Sequence, residues 1–141
     1  MWIESSRSRW CEPALKSQRW HVPRRTNVND VQAKGRAGKI ALLNDALRKT
    51  GFGGNVLVTS GIQRYGPKFV TEVILAVRRF DAFGKDNDPY GERDFGSLSI
   101  RDQPILWKID YYDRNLEFGS EDPADVQKTQ RVLTIMLAEE Y

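Results

Sequence analysis

Cysteine and histidine are almost missing from this chain: Cys11 and His21 are the only ones in 141 residues. One cysteine excludes an intramolecular disulfide and any cysteine-rich zinc site. One histidine, far from every later motif, leaves no Ser-His-Asp triad, Cys-His pair or histidine zinc site in the body of the chain. Long apolar runs are missing too. The stretch Ile135-Met136-Leu137-Ala138 is far short of the ~20 residues that a membrane-spanning helix needs. No apolar segment separates Met1-Trp2-Ile3-Glu4 from Arg7 and Arg9, so no secretory signal is read and a cytoplasmic protein without membrane contact is expected. What remains is 40% hydrophobic and 29% charged, the composition of one globular domain. Collagen-like, disulfide-scaffold and wholly disordered classes are excluded.

The net charge of +3 hides an asymmetry. Residues 1–39 hold nine Lys or Arg against Glu4, Glu12 and Asp30, a net of +6, and the other 102 residues carry −3. Arg7, Arg9, Lys16, Arg19, Arg24 and Arg25, with Trp2, Trp10 and Trp20 among them, form a pattern suited to nucleic acid: cations release counterions from phosphates and indoles stack on bases. The same stretch shows no helical or strand period. No methionine lies between Met1 and Met136, and Val22, Val28 and Val31 precede the first periodic segment. Residues 1–35 therefore read as a basic irregular tail, or as a start assigned too far upstream, and 36–141 as a single domain.

Periodicity sets in at Lys39. Ile40, Leu43 and Leu47, widened by Leu42 and Ala46, predict an amphipathic helix closed by Thr50-Gly51. Asn55–Thr59 is short and β-branched, a strand. Gly66-Pro67 opens a second helix with Val70, Val73, Ile74, Val77 and Phe80 on one face. After a polar loop, Lys85–Arg93, come strands Asp94–Ile100 and Ile105–Tyr112, joined at Arg101–Pro104. Asp122-Pro123, with Asp125 behind it, reads as the start of a third helix bearing Val126, Val132, Leu133, Met136 and Leu137. The expected fold is α+β in the order α-β-α-β-β-α: a small three-stranded, partly antiparallel sheet with a hairpin, packed by three helices.

Chemistry concentrates in the acidic loop. Asp86, Asp88, Glu92 and Asp94 partly follow a calcium-loop spacing, with Gly91 as the turn, so a divalent cation is possible there. Tyr90 and Ser97 break that pattern, and Asx-Pro turn chemistry explains Asn87-Asp88-Pro89 equally well. No other cofactor is indicated. Gly51-Phe52-Gly53-Gly54 follows a helix and precedes a strand, the reverse of a phosphate loop. Pairing Ile100 with Ile105 sends Asp94 and Asp110 to opposite faces of the hairpin, which speaks against a two-aspartate centre. Tyr90, Arg93, Lys108, Asp110, Tyr111, Tyr112 and Asp113 form a candidate interaction set, Tyr and Arg being enriched in interface hot spots.

Several blocks resemble an uncharacterised bacterial family, domain of unknown function 3768, over about residues 40–141. They are Leu43-Asn44-Asp45, Val77–Asp81, Asn87–Glu92, Asp94-Phe95-Gly96, Trp107–Asp113 and Arg131–Ala138. The resemblance implies a small alphaproteobacterial protein, often encoded beside plasmid or other mobile-element genes, with no known activity. It also implies histidine where this chain has Arg93. Two functions are open. One is a non-catalytic binding module of a mobile element, contacting a protein partner or a nucleic-acid complex, including host defence systems. The other is a small divalent-metal hydrolase using Asp86, Asp88, Glu92 and Asp94, with Lys108 or Arg93 at the phosphate.

Overall fold

A computed structural model describes residues 28–141. Arg7, Arg9, Lys16, Arg19, Arg24, Arg25, Cys11 and His21 lie outside the described residues, whereas residues 28–35, expected as irregular tail, are helical. Helix α1 (Val28–Thr50) leads to strand β1 (Asn55–Val58), the short helix α2 (Ser60–Gln63) and helix α3 (Pro67–Arg79). Strands β2 (Phe95–Ile100), β3 (Gln103–Tyr112) and β4 (Gln130–Leu137) follow, and a 3-10 turn at Ala138–Glu140 ends the chain. The sheet order is β1-β4-β3-β2, with β1 parallel to β4 and the other pairs antiparallel. No described helix is long and apolar enough to cross a membrane.

The α+β class holds, but the sheet has four strands instead of three. The added strand is β4, where a third helix is expected from the sequence. Asp122 does begin a turn, its Oδ1 accepting the Ala124 N–H at 3.1 Å, and Asp125 Oδ1 accepts the Gln127 N–H at 2.9 Å. The chain then extends. Val132–Leu137 is a nearly unbroken apolar run, which suits a central strand buried on both faces better than a helix with one wet side. Leu133, Ile135 and Leu137 join the core shared with the helices, while Val132 and Met136 are buried on the opposite face.

The hairpin also pairs differently. A two-residue turn at Arg101-Asp102, both at positive φ (50° and 65°), matches Ile100 with Gln103 and Leu98 with Ile105. Primed turns of this kind follow the twist of antiparallel strands. Pro104 fits because β4 pairing begins only at Ile105, so its missing N–H removes no bond to that neighbour. The register moves by two residues, an even step, so each side chain keeps its expected face.

The core lies between the sheet and the helices. Leu47 of α1, Ile62 of α2 and Phe69, Val73 and Val77 of α3 pack on Ile105, Trp107, Ile109, Leu133 and Ile135. Trp107 is fully buried, edge-on to Phe80 and Phe83 with ring centroids at 5.5 and 6.1 Å. Gly96 makes room for it: a Cβ there would stand 2.5 Å from the indole nitrogen and 2.7 Å from Phe80.

Candidate functional site

The buried face of α1 is not wholly apolar. Beside Ile40 and Leu47 it carries Asn44, Asp45 and Arg48, each almost inaccessible, whereas Leu42, expected in the stripe, is 72% exposed. A buried charge is tolerated only when it is paired and hydrogen-bonded. Arg48 meets that condition at the end of α3. Its Nη1 donates to the carbonyls of Val77 (2.9 Å), Arg78 (3.1 Å) and Phe80 (2.9 Å) where the helix ends, the Val77 carbonyl also accepting the Phe80 N–H at 3.2 Å. Its Nη2 donates to Asp45 Oδ1 at 2.8 Å, and its plane lies 5.4 Å from the rings of both Phe83 and Trp107.

Asp45 links this pair to the acidic loop, its Oδ2 accepting Arg93 Nη1 at 2.7 Å. Burial pushes the Asp45 carboxyl up, but the two arginines outweigh it and hold the group below its ordinary value. Asn44 completes a second linkage. Its amide donates to the Glu92 carbonyl (2.9 Å) and the Tyr111 hydroxyl (2.8 Å), and its oxygen accepts Arg131 Nε (2.9 Å). Tyr111 in turn donates to Glu92 Oε2 at 2.9 Å, and Arg131 lies over the Tyr111 ring and donates to the Pro123 carbonyl. Helix α1, the loop, β3 and β4 thus meet in one polar network under the sheet's end.

The acidic loop is built as a set of turns. Asn87 Oδ1 accepts the Gly84 N–H (2.8 Å) while its amide donates to the Ala82 carbonyl (3.0 Å). Asp88 Oδ1 accepts the Arg93 N–H at 2.9 Å, closing a bend that needs positive φ at Gly91 (72°) and Arg93 (56°). Burial raises the Asp88 carboxyl above its ordinary range, opposed by backbone N–H groups of Arg93 and Glu92 and by the Arg93 charge. Asp86 is exposed on the loop, Asp88 faces the bend, Glu92 engages Tyr111 and Asp94 is buried at the start of β2. The four expected carboxylates are therefore not gathered. Among the described residues no three His, Cys, Asp or Glu side chains converge on one point as metal ligands.

The candidate interaction residues divide between two faces. Arg93 and Tyr111 belong to the network just described, and Tyr90 stands exposed on the same loop. Lys108, Asp110 and Tyr112 alternate onto the other face of β3. Lys108 is buried and ion-paired with Asp110; burial lowers its amine and the Asp110 charge opposes the shift. Burial, and then the Asp110 charge, raise the Tyr112 phenol. Asp113 caps the next turn, accepting the N–H groups of Asn115 (3.1 Å) and Glu117 (3.0 Å).

Between the C-terminal ends of α1 and α3 lies an open groove of about 310 Å³. Lys49, Arg78, Arg79 and Arg93 line it, with Arg48 at its base, Phe80 and Phe83 in its wall and Asp81 as its lining carboxylate. Sequence reasoning missed this feature and the buried polar face of α1. The signal was present in Asn44, Asp45 and Arg48 at helical spacing and in the Arg78-Arg79 pair that ends α3.

The described residues thus define a class: an α+β domain whose mixed four-stranded sheet is joined to its first helix through Asn44, Tyr111 and Arg131, with a buried arginine–carboxylate pair and a basic groove beside them. Within that class, the chain belongs to the family described as protein of unknown function DUF3768, whose model matches residues 58–140. The match takes in the loop, Arg78, Arg79, Arg93, Tyr111 and Arg131; the α1 residues Asn44, Asp45 and Arg48 precede it. No curated protein and no solved structure matches the chain.

Proposed function

We propose that this chain is a small cytoplasmic binding module of mobile-element type, acting by contact with a protein or a nucleic-acid–protein complex, with host defence systems as the target. The genomic setting comes from the family resemblance alone. The contact surface comes from the seating of Arg93. This residue adopts a left-handed backbone (φ 56°) that costs a non-glycine residue free energy, and such strain clusters where a side chain must be aimed. Its guanidinium is fixed by Asp45 and by the Phe83 ring at 5.4 Å, yet its side chain remains 47% exposed. A cation held in place before binding loses little entropy on contact. Tyr90, half exposed three residues earlier, adds a second hot-spot residue type to the same surface.

A photo-crosslinking phenylalanine analogue at position 90 of the full chain, exposed to bacterial host extract in EDTA, tests this. The expected result is a discrete adduct that is absent when the analogue sits at the exposed Glu121 instead, and that weakens with Arg93→Ala. Equal adducts from both positions, or none from position 90, overturn the reading.

A further inference from the structure

The basic groove is the part of this surface whose chemistry is most specific. Lys49 and Arg93 have side chains 54% and 47% exposed, and Arg78 and Arg79 are exposed at the end of α3. Together with Arg48 they set five cations against the carboxylates Asp45 and Asp81. Arg78 and Arg79 do not simply serve the helix terminus, because Arg48 already satisfies the carbonyls of Val77, Arg78 and Phe80. The base of the groove holds a second indication. Arg48 is 2% exposed and makes four hydrogen bonds through its terminal nitrogens, yet its Nε–H has no acceptor. Buried donors are rarely left unsatisfied; the indole Nε1–H of Trp107 in the core shares that state, but only Arg48 lines the groove.

We infer that this groove seats the phosphate backbone of a nucleic acid, which makes the partner a nucleic-acid-containing complex; the inference rests on the contact reading above. Arginine clusters with planar, multidentate donors match phosphate oxygens better than they match a neutral surface. The rings in the wall indicate backbone contact instead of a nucleotide pocket. Phe80 and Phe83 pack edge-on with each other and with Trp107, and the Phe83 ring is approached by both Arg48 and Arg93. Each ring is thus already engaged by aromatic neighbours or guanidinium groups, and the cations dominate the groove, so the contact reads phosphate and not sequence.

The test uses the full chain, with a labelled duplex, a labelled single strand and inorganic phosphate as probes. Arginine Nε–H NMR signals report the site directly. The expected result is that either oligonucleotide shifts the Arg48 and Arg93 Nε–H resonances, whereas phosphate does so only at far higher concentration. Arg78→Ala with Arg79→Ala should weaken oligonucleotide binding roughly tenfold and reduce the logarithmic salt slope by about 2, one for each lost phosphate contact. Arg64→Ala with Lys68→Ala removes the same charge elsewhere and should change neither. Equal losses from both pairs, or oligonucleotide binding abolished by neutralising Arg7, Arg9, Lys16, Arg19, Arg24 and Arg25 without any shift at Arg48, overturn the inference. Inorganic phosphate shifting Arg48 as well as the oligonucleotides do overturns the backbone assignment. A retained crosslink from position 90 with no oligonucleotide binding would fail this inference alone; loss of the crosslink with oligonucleotide binding intact would fail the contact reading alone.

Discussion

Asp45 is the residue on which most of the site's electrostatics turn. One carboxylate, its side chain 12% exposed, faces Arg48 on one oxygen and Arg93 on the other. Asp45→Asn keeps the shape and removes the charge, leaving a buried guanidinium without its counter-ion. The expected cost at pH 7 is about 3 kcal/mol by urea denaturation. The pH dependence has a definite sign. The folded carboxyl titrates below its ordinary value of 3.8, so its contribution is present above that value and is lost as pH falls through the lower folded pKa. The gap between wild type and variant should therefore close only in acid below about pH 4. Asp88 behaves in the opposite sense. Burial raises its carboxyl, so the ionised form weighs against the fold near neutrality and the penalty fades as pH falls through the raised pKa toward 3.8. An amide oxygen can still accept the Arg93 N–H, so Asp88→Asn should raise the melting temperature at pH 7 and leave it unchanged at pH 3. A melting temperature lowered by Asp88→Asn would mean that the ionised carboxylate supports the bend through the N–H bonds it accepts. One raised by divalent ions in the wild type alone would favour metal chemistry in the loop.

At the scale of elements, the hairpin was the most legible part and β4 the least. Alternation in Leu98, Ile100, Ile105, Trp107 and Ile109 assigns the inward face of β2 and β3 whatever the turn, because an even slip preserves it. β4 carries no alternation to read: its central position buries both Val132 and Leu133, and a doubly buried strand has the composition of a buried helix. Helix α1 was legible only from Lys39, since its N-terminal part has exposed polar residues and Gly35 and Gly38 in place of an apolar stripe. Its polar face escaped because Asn44, Asp45 and Arg48 acquire their partners from α3, the loop and β4, which no local pattern encodes. The Phe80–Trp107 contact gives a prediction at this scale. Gly96→Ala forces β2 away from the indole, and overpacking of this kind costs about 1–3 kcal/mol. The near-UV circular dichroism of Trp107 should weaken in step with the lost stability; an unchanged signal would mean that the strand yields without disturbing the rings.

In the whole molecule, a buried hydrogen bond adds to the apolar packing between the first helix and the last strand: Arg131 of β4 donates to Asn44 of α1 across 87 residues of sequence and also holds the Pro123 carbonyl. Asn44 passes the connection to the loop and β3 through Glu92 and Tyr111. If these bonds bind the elements into one cooperative unit, α1 between Ile40 and Arg48 cannot open while β4 stays closed. Arg131→Met retains an apolar stem but leaves the Asn44 oxygen and the Pro123 carbonyl without this donor, at an expected cost of about 3 kcal/mol. Native-state hydrogen exchange then separates two outcomes. Equal loss of protection in α1 and β4 means that the network ties the helix to the sheet's global stability. Loss confined to α1, with β4 protected as before, would mean that the helix opens separately and that the basic groove, which α1 and α3 share, can be dismantled without unfolding the sheet.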